Sequence, residues 1–136
     1  MYDLETVGIR TDASIIAIGA VEFDLPDAYP LLACPPETFI GRKFYTKVDL
    51  QSSFDLGLTM SASTFYWWLA QSDEARKAII PTAAEPALAI GPALIAFFDF
   101  FKKCEATEVW AHGPHFDVTL VNAAAQKLGL ENEVPW

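Results

Sequence analysis

Two carboxylates spaced two residues apart, Asp3 and Glu5 in Asp3-Leu4-Glu5-Thr6, constrain this chain more than any other feature. In a β-strand successive side chains point to opposite faces, so the two acids share one face and Leu4 takes the other. Two acids on one face of a buried strand repel each other and lose hydration, a cost normally offset by a positive group between them. A divalent metal ion is the natural counter-charge, and oxygen-only ligands suit Mg²⁺ or Mn²⁺. Without such an ion the tetrapeptide reads as a strand end carrying two solvated acids.

The sequence that follows supplies a sheet for that strand. Val7 to Ser14, with Gly8 and Thr11-Asp12, reads as a turn. Ile15 to Asp24 is rich in β-branched residues and predicts a second strand. Leu25 to Thr38 holds four prolines and predicts an irregular connection whose apolar centre, Leu31 to Cys34, lies against the body. Phe39 to Val48 predicts a third strand, with Phe44, Thr46 and Val48 on one face and Tyr45 and Lys47 on the other. Strands two and three then pair antiparallel beside the first.

Helices dominate the remainder. Asp49 to Met60 reads as a connection, and Ser61 caps a helix running to Gln71 with Phe65, Trp68 and Leu69 on one stripe. Ser72 caps another, with Asp73 and Glu74 near its positive end. Pro81 to Gly91 carries no periodic signal. Pro92 suits the first position of a helix whose Leu94, Phe97, Phe98 and Phe101 recur at helical period, closed by Lys102-Lys103. Thr107 to Ala111 predicts a short strand, His112-Gly113-Pro114 a turn, and His115 to Leu128 a last helix stopped by Gly129. The order predicts an α/β fold, a mixed sheet with helices on its faces.

At 136 residues and 52% apolar content, one domain with its own core is expected. The net charge of −9 argues against a surface that binds polyanions by bulk charge, although bound metal would offset the acid locally. Cys34 and Cys104 lack metal-type spacing and predict reduced thiols in a cytoplasmic protein. No signal peptide opens the chain, and no apolar run is long enough to span a membrane.

A third acid arrives late. Asp117, in His112-Gly113-Pro114-His115-Phe116-Asp117, falls at the N-terminus of the last helix, where the dipole favours a carboxylate. It either caps that helix or, if the Thr107–Ala111 strand lies beside the first, converges on the Asp3/Glu5 face. Three acids at one point suffice to hold two divalent ions. Such ions, ~3.5–4 Å apart, activate water and stabilise the leaving oxygen of a phosphodiester.

Taken in order, Asp3-Leu4-Glu5-Thr6-x-Gly8, the Ile15–Asp24 strand and His112-x-x-x-Phe116-Asp117 resemble the DEDD superfamily of 3′–5′ exonucleases. The segment from Phe65 to Arg76, with Trp67-Trp68 at its centre, is similar to a narrower branch, the phage-type exonuclease A and related bacterial 3′–5′ exoribonucleases. The resemblance implies an RNase H-like fold, a mixed β-sheet flanked by α-helices. It also implies two-metal hydrolysis, with Mg²⁺ or Mn²⁺, at the 3′ ends of single-stranded RNA or DNA, releasing nucleoside 5′-monophosphates. Asp3 would correspond to the bridging carboxylate, and Glu5 and Asp117 to further catalytic, metal-holding acids. Thr6 and Gly8 match the turn along the terminal nucleotide, where a small residue admits a close backbone approach.

The superfamily also uses a histidine base and a fourth acid on a later helix. His112 and His115 precede Asp117 and do not take that place, so the expectation is that the C-terminal part is missing and the site incomplete. The branch further implies a homodimer, with the Leu31–Cys34 loop or the Trp67-Trp68 helix as contacts. Of the remaining candidates, Trp67 has an aromatic face that can stack a base, while Trp68 reads as core by its spacing from Phe65. His115 either hydrogen-bonds substrate or caps its turn. The pairs Arg76-Lys77 and Lys102-Lys103 touch phosphates or are solvated surface. The alternative reading is a non-catalytic RNase H-like module that binds nucleic acid or protein.

Overall fold

A computed structural model describes residues 1–24 and 40–136. The expected connection over 25–38, its Leu31–Cys34 centre and the Phe39 start of the third strand lie outside the described residues. Among those described, β1 (Tyr2–Thr6), β2 (Ile15–Phe23) and β3 (Ile40–Lys47) form one antiparallel sheet in that spatial order. Register puts Asp3 opposite Gly19 and Glu5 opposite Ala17, with Tyr45 and Lys47 beyond them on β3. The period-2 alternation gives the sheet two unlike faces. Tyr2, Leu4, Ile18 and Ala20 are buried on one. Asp3, Glu5, Ala17, Gly19, Tyr45 and Lys47 form the other.

The apolar face packs on α4 (Ile90–Cys104), whose Leu94, Phe97, Phe98 and Phe101 are all buried as their spacing predicted. Helix α5 (Pro114–Leu128) closes that core with Leu120, Val121, Ala124 and Ala125. Gly129 ends it with φ 69°, a left-handed stop that glycine adopts without a Cβ clash.

Four expectations need correction. Asp49 to Met60 is not all connection: α1 (Leu50–Asp55) forms there, capped by Asp49, whose carboxylate accepts from the Ser52 amide at 2.9 Å. Pro92 stands third in α4 rather than first, a position whose missing N–H is equally harmless because the opening amides of a helix have no partner. The Ser61-capped helix is α2 (Ala62–Leu69), but of its proposed stripe only Trp68 is buried, while Phe65 and Leu69 face solvent. Helical period identifies a shared face; whether a neighbour covers it depends on the rest of the fold.

Last, Thr107 to Ala111 forms no strand; its end makes a single parallel bridge, Ala111 to Tyr2. Among the described residues only Ala111 of this segment bridges to a strand, so the extended backbone before it forms no ladder. The Ser72-capped helix is α3 (Asp73–Ile79), with Asp73 and Glu74 in its first turn. No described helix is long and apolar enough to cross a membrane.

Candidate active site

Asp3 is exposed and Glu5 half-buried, standing on β1 above Gly19 and Ala17, two residues too small to cover them. The bridge at Ala111 brings Asp117 to the same edge. The Tyr2 amide donates to the Trp110 carbonyl at 2.8 Å, and the His112 amide donates to the Tyr2 carbonyl at 3.2 Å. The chain thus runs alongside β1 before Gly113 turns it into α5. Pro114 opens that helix with its φ already set. Asp117 lies in the first turn, 3% exposed, and its Oδ2 accepts from the Gly113 amide at 2.9 Å. Asp117 therefore accepts from the amide at the start of its helix and lies near enough to Asp3 to feel its charge.

The three carboxylates act on one another. Burial pushes the Glu5 carboxyl above its ordinary value, and the charges of Asp3 and then Asp117 push it further. Burial also raises Asp117, against the Gly113 hydrogen bond, and Asp3 raises it again while His112 pulls it back. Residues remote in sequence thus meet within electrostatic reach. Repulsion of this kind favours either protonation or a bound cation.

The other predicted residues divide. The Thr6 hydroxyl donates to the Gly8 carbonyl at 2.7 Å, and the Trp68 indole donates to the Thr6 carbonyl at 2.8 Å. This turn is pinned on both sides. A Cβ on Gly8 would stand 3.0 Å from that of Ala13, so any side chain there would have to push Ala13 aside by a few tenths of an ångström. Trp67 is 54% exposed and meets Trp68 in a T-shaped pair. His115 is exposed at the start of α5 and its carbonyl accepts from the Thr119 hydroxyl; its imidazole has no recorded partner among the acids.

Of two further residues near the acids, Tyr45 escaped the sequence reading, and His112 entered it only within the motif, set aside as the base. His112 faces Asp117 closely enough to favour its ionised form. Tyr45 reaches across the open face, where burial and then the Glu5 charge raise its phenol. Position relative to the first acid was the available signal: Tyr45 shares a face with the predicted β1 acids once the sheet order is known.

The family of the Rv2179c-like 3′–5′ exoribonuclease domain matches residues 1–136. This chain belongs to that family. It is also 29% identical over 125 residues to a protein named exodeoxyribonuclease from Enterobacteria phage T4, covering 89% of this chain and 52% of that one. The chain thus spans about half the length of the curated relative it matches. No solved structure matches it significantly.

The donor set suits a hard divalent ion, being three carboxylates with no sulfur. Among the described residues, however, no three acidic, histidine or cysteine side chains stand close enough to hold an ion as they are. Chelation therefore needs side-chain movement, which exposed Asp3 can supply. A stability prediction follows. Acids raised by folding stabilise the native state below the ordinary carboxylate value of about 4 and cost stability as pH rises through their raised values. In a chelator at neutral pH, Asp117→Asn should thus melt a few degrees above the parent, since an amide oxygen can still accept from Gly113. Saturating Mn²⁺ at 100 times its dissociation constant should stabilise the parent by about 2.7 kcal/mol and the variant by less. Differential scanning calorimetry with and without Mn²⁺ checks both; an equal metal response in the two proteins would count against a shared site.

Proposed function

We propose that this chain carries the acidic centre of an RNase H-like, metal-dependent 3′–5′ exonuclease that shortens single-stranded RNA, or DNA, from its 3′ end. The observation that carries the reading is geometric: the bridge between Ala111 and Tyr2 brings Asp117 of α5 beside the β1 strand that bears Asp3 and Glu5. Membership of an exoribonuclease family supports the reaction class and favours RNA, while the phage relative's name keeps DNA in view.

Asp3, Glu5 and Asp117 would hold Mg²⁺ or Mn²⁺ between them, each by a carboxylate oxygen. A bound ion pair would supply an activated water and charge for the oxygen leaving a terminal phosphodiester. The chain's own residues do the positioning. The Thr6–Gly8 turn, pinned by its internal hydrogen bond and by Trp68, offers a rigid backbone beside the acids on which a terminal nucleotide can rest. Trp67 offers an open face for a base further along the strand. Gly19, opposite Asp3 on β2, adds no side chain beside it. The general base and a fourth acid are assigned to no residue among these 136.

Polarity tests the reading. With the full-length protein and Mn²⁺, a 5′-labelled single-stranded RNA should shorten one nucleotide at a time, and nucleoside 5′-monophosphate should accumulate. Endonucleolytic fragments, or binding without any cleavage, would favour the non-catalytic module instead.

A further inference from the structure

Helix α3 has seven residues and buries none of them. A helix that short is not stable in water by itself. Its partner α2 buries only Trp68, which joins Val7 and Ile16 in a small cluster lined by Leu50, Ala75 and Ile79. Something besides apolar packing must hold this pair over the acidic face of the sheet.

The polar face of β3 provides it. Lys47, 4% exposed, sends its ammonium into the C-terminal end of α3. Its Nζ donates to the carbonyls of Lys77 and Ile80 at 2.9 Å each and to Glu85 Oε2 at 2.8 Å. All three ammonium protons are thereby used. Tyr45, two residues earlier on the same face, donates its hydroxyl to the Ala78 carbonyl. A helix leaves its last four carbonyls without partners, and these two side chains satisfy those of Lys77, Ala78 and Ile80. The cation also sits at the negative end of the helix dipole. At the other end of the pair, the Trp68 indole holds the Thr6 carbonyl at 2.8 Å, one residue after Glu5. The Ser61 amide holds the Val7 carbonyl at 2.8 Å.

We propose that Lys47 is a positioning residue: it latches the α2–α3 pair to the sheet, and through Trp68 that pair sets the backbone of Thr6 and Gly8 beside the acids. A buried ammonium is costly to desolvate and would be poor value as packing. Here it satisfies carbonyls at the end of α3 beyond the one held by the Ile80 amide. The α2–α3 pair then moves as one unit, fixed at two points, and releasing the α3 end frees the Trp68 end. The proposal rests on the nuclease reading only for the importance of the Thr6–Gly8 turn; the latch itself is independent of it.

Hydrogen exchange on the full-length protein tests the latch without any activity assay. In Lys47→Met, amides of residues 62–69 and 73–79 should exchange at least about tenfold faster, a change of about 1.4 kcal/mol in opening free energy. Those of α4 and α5 should keep their parent rates. Lys47→Arg should restore part of the protection. If Lys47→Met fails to fold, Glu85→Gln removes only the exposed carboxylate partner and should give a smaller rise in the same two segments. Trp68→Phe should accelerate exchange less in the Lys47→Met background than in the parent, because the two contacts hold one unit. Unchanged exchange in residues 62–79, an equal rise across α4 and α5, or additive effects of the two substitutions would each overturn the latch.

The activity readout separates the two claims. If the parent degrades RNA, Lys47→Met should lower kcat/KM by about tenfold, within the range a displaced positioning element produces. A parent with no nuclease activity but with the exchange pattern above would retain the latch and remove the nuclease reading.

Discussion

Asp3→Asn in the full-length protein is expected to slow mononucleotide release by about 10³-fold or more, with the fold unchanged. Asp3 is exposed, faces Gly19 across the ladder and makes no hydrogen bond or ion pair among the described residues, so an isosteric amide disturbs no packing there. Surface substitutions of this kind usually shift stability by no more than about 0.5 kcal/mol. What the amide removes is a full negative charge from a group of three that works by shared charge. It should also relieve Glu5 and Asp117, both of which Asp3 pushes up. The variant should therefore be inactive without being unstable, and its melting point in chelator should equal or exceed the parent's. Asp55→Asn, on the exposed surface of α1, is the control and should keep the parent rate. A purified full-length Asp3→Asn protein that digests single-stranded RNA as fast as the parent would sink the assignment.

That separation of activity from stability reflects how the site is built. The acids lie on the side of β1 that the core does not use, while Tyr2 and Leu4 on the other side hold the strand in place. The sequence made this legible, because strand alternation alone assigns Asp3 and Glu5 to one face. The α4 stripe was legible for the same reason: four large apolar residues at helical period leave one way to pack. Asp117 was only half legible. Its place at a helix start followed from Gly113-Pro114, but its meeting with Asp3 depended on residue 111 passing alongside Tyr2, a pairing across more than a hundred residues that no local pattern encodes.

The failures have similar causes. Thr107 to Ala111 has the composition of a strand, yet a strand exists only where a neighbour offers its backbone, and only Ala111 has one. Helix α1 was missed although Asp49 and Ser52 form a cap signal, because six residues are too few for a hydrophobic period to register. Strand alternation put Lys47 on the face of Tyr45 but named no partner for it; its partners lie 30 to 38 positions downstream. For the strand and for Lys47 the local chemistry was readable and the long-range neighbour was not.

Phe97→Ala should behave oppositely to Asp3→Asn. Phe97 is fully buried at the centre of the aromatic core. Its ring meets that of Tyr2 at 5.2 Å and 65°, and that of Phe101 at 5.0 Å and 77°. It also lies 5.9 Å from Phe44 on β3, so a single side chain joins α4 to both edge strands of the described sheet. Truncation to alanine removes those contacts and leaves a cavity that rigid neighbours cannot close, at a cost of about 3–5 kcal/mol. Against a total stability of about 5–15 kcal/mol that is a large share. Urea denaturation should show the midpoint falling with little change in slope. Because Tyr2 and Asp3 are adjacent on β1, activity should fall only where the protein unfolds, and adding Mn²⁺ at moderate temperature should recover it in part. A loss below about 1 kcal/mol would mean that the core closes over the gap and that β1 is held by other contacts.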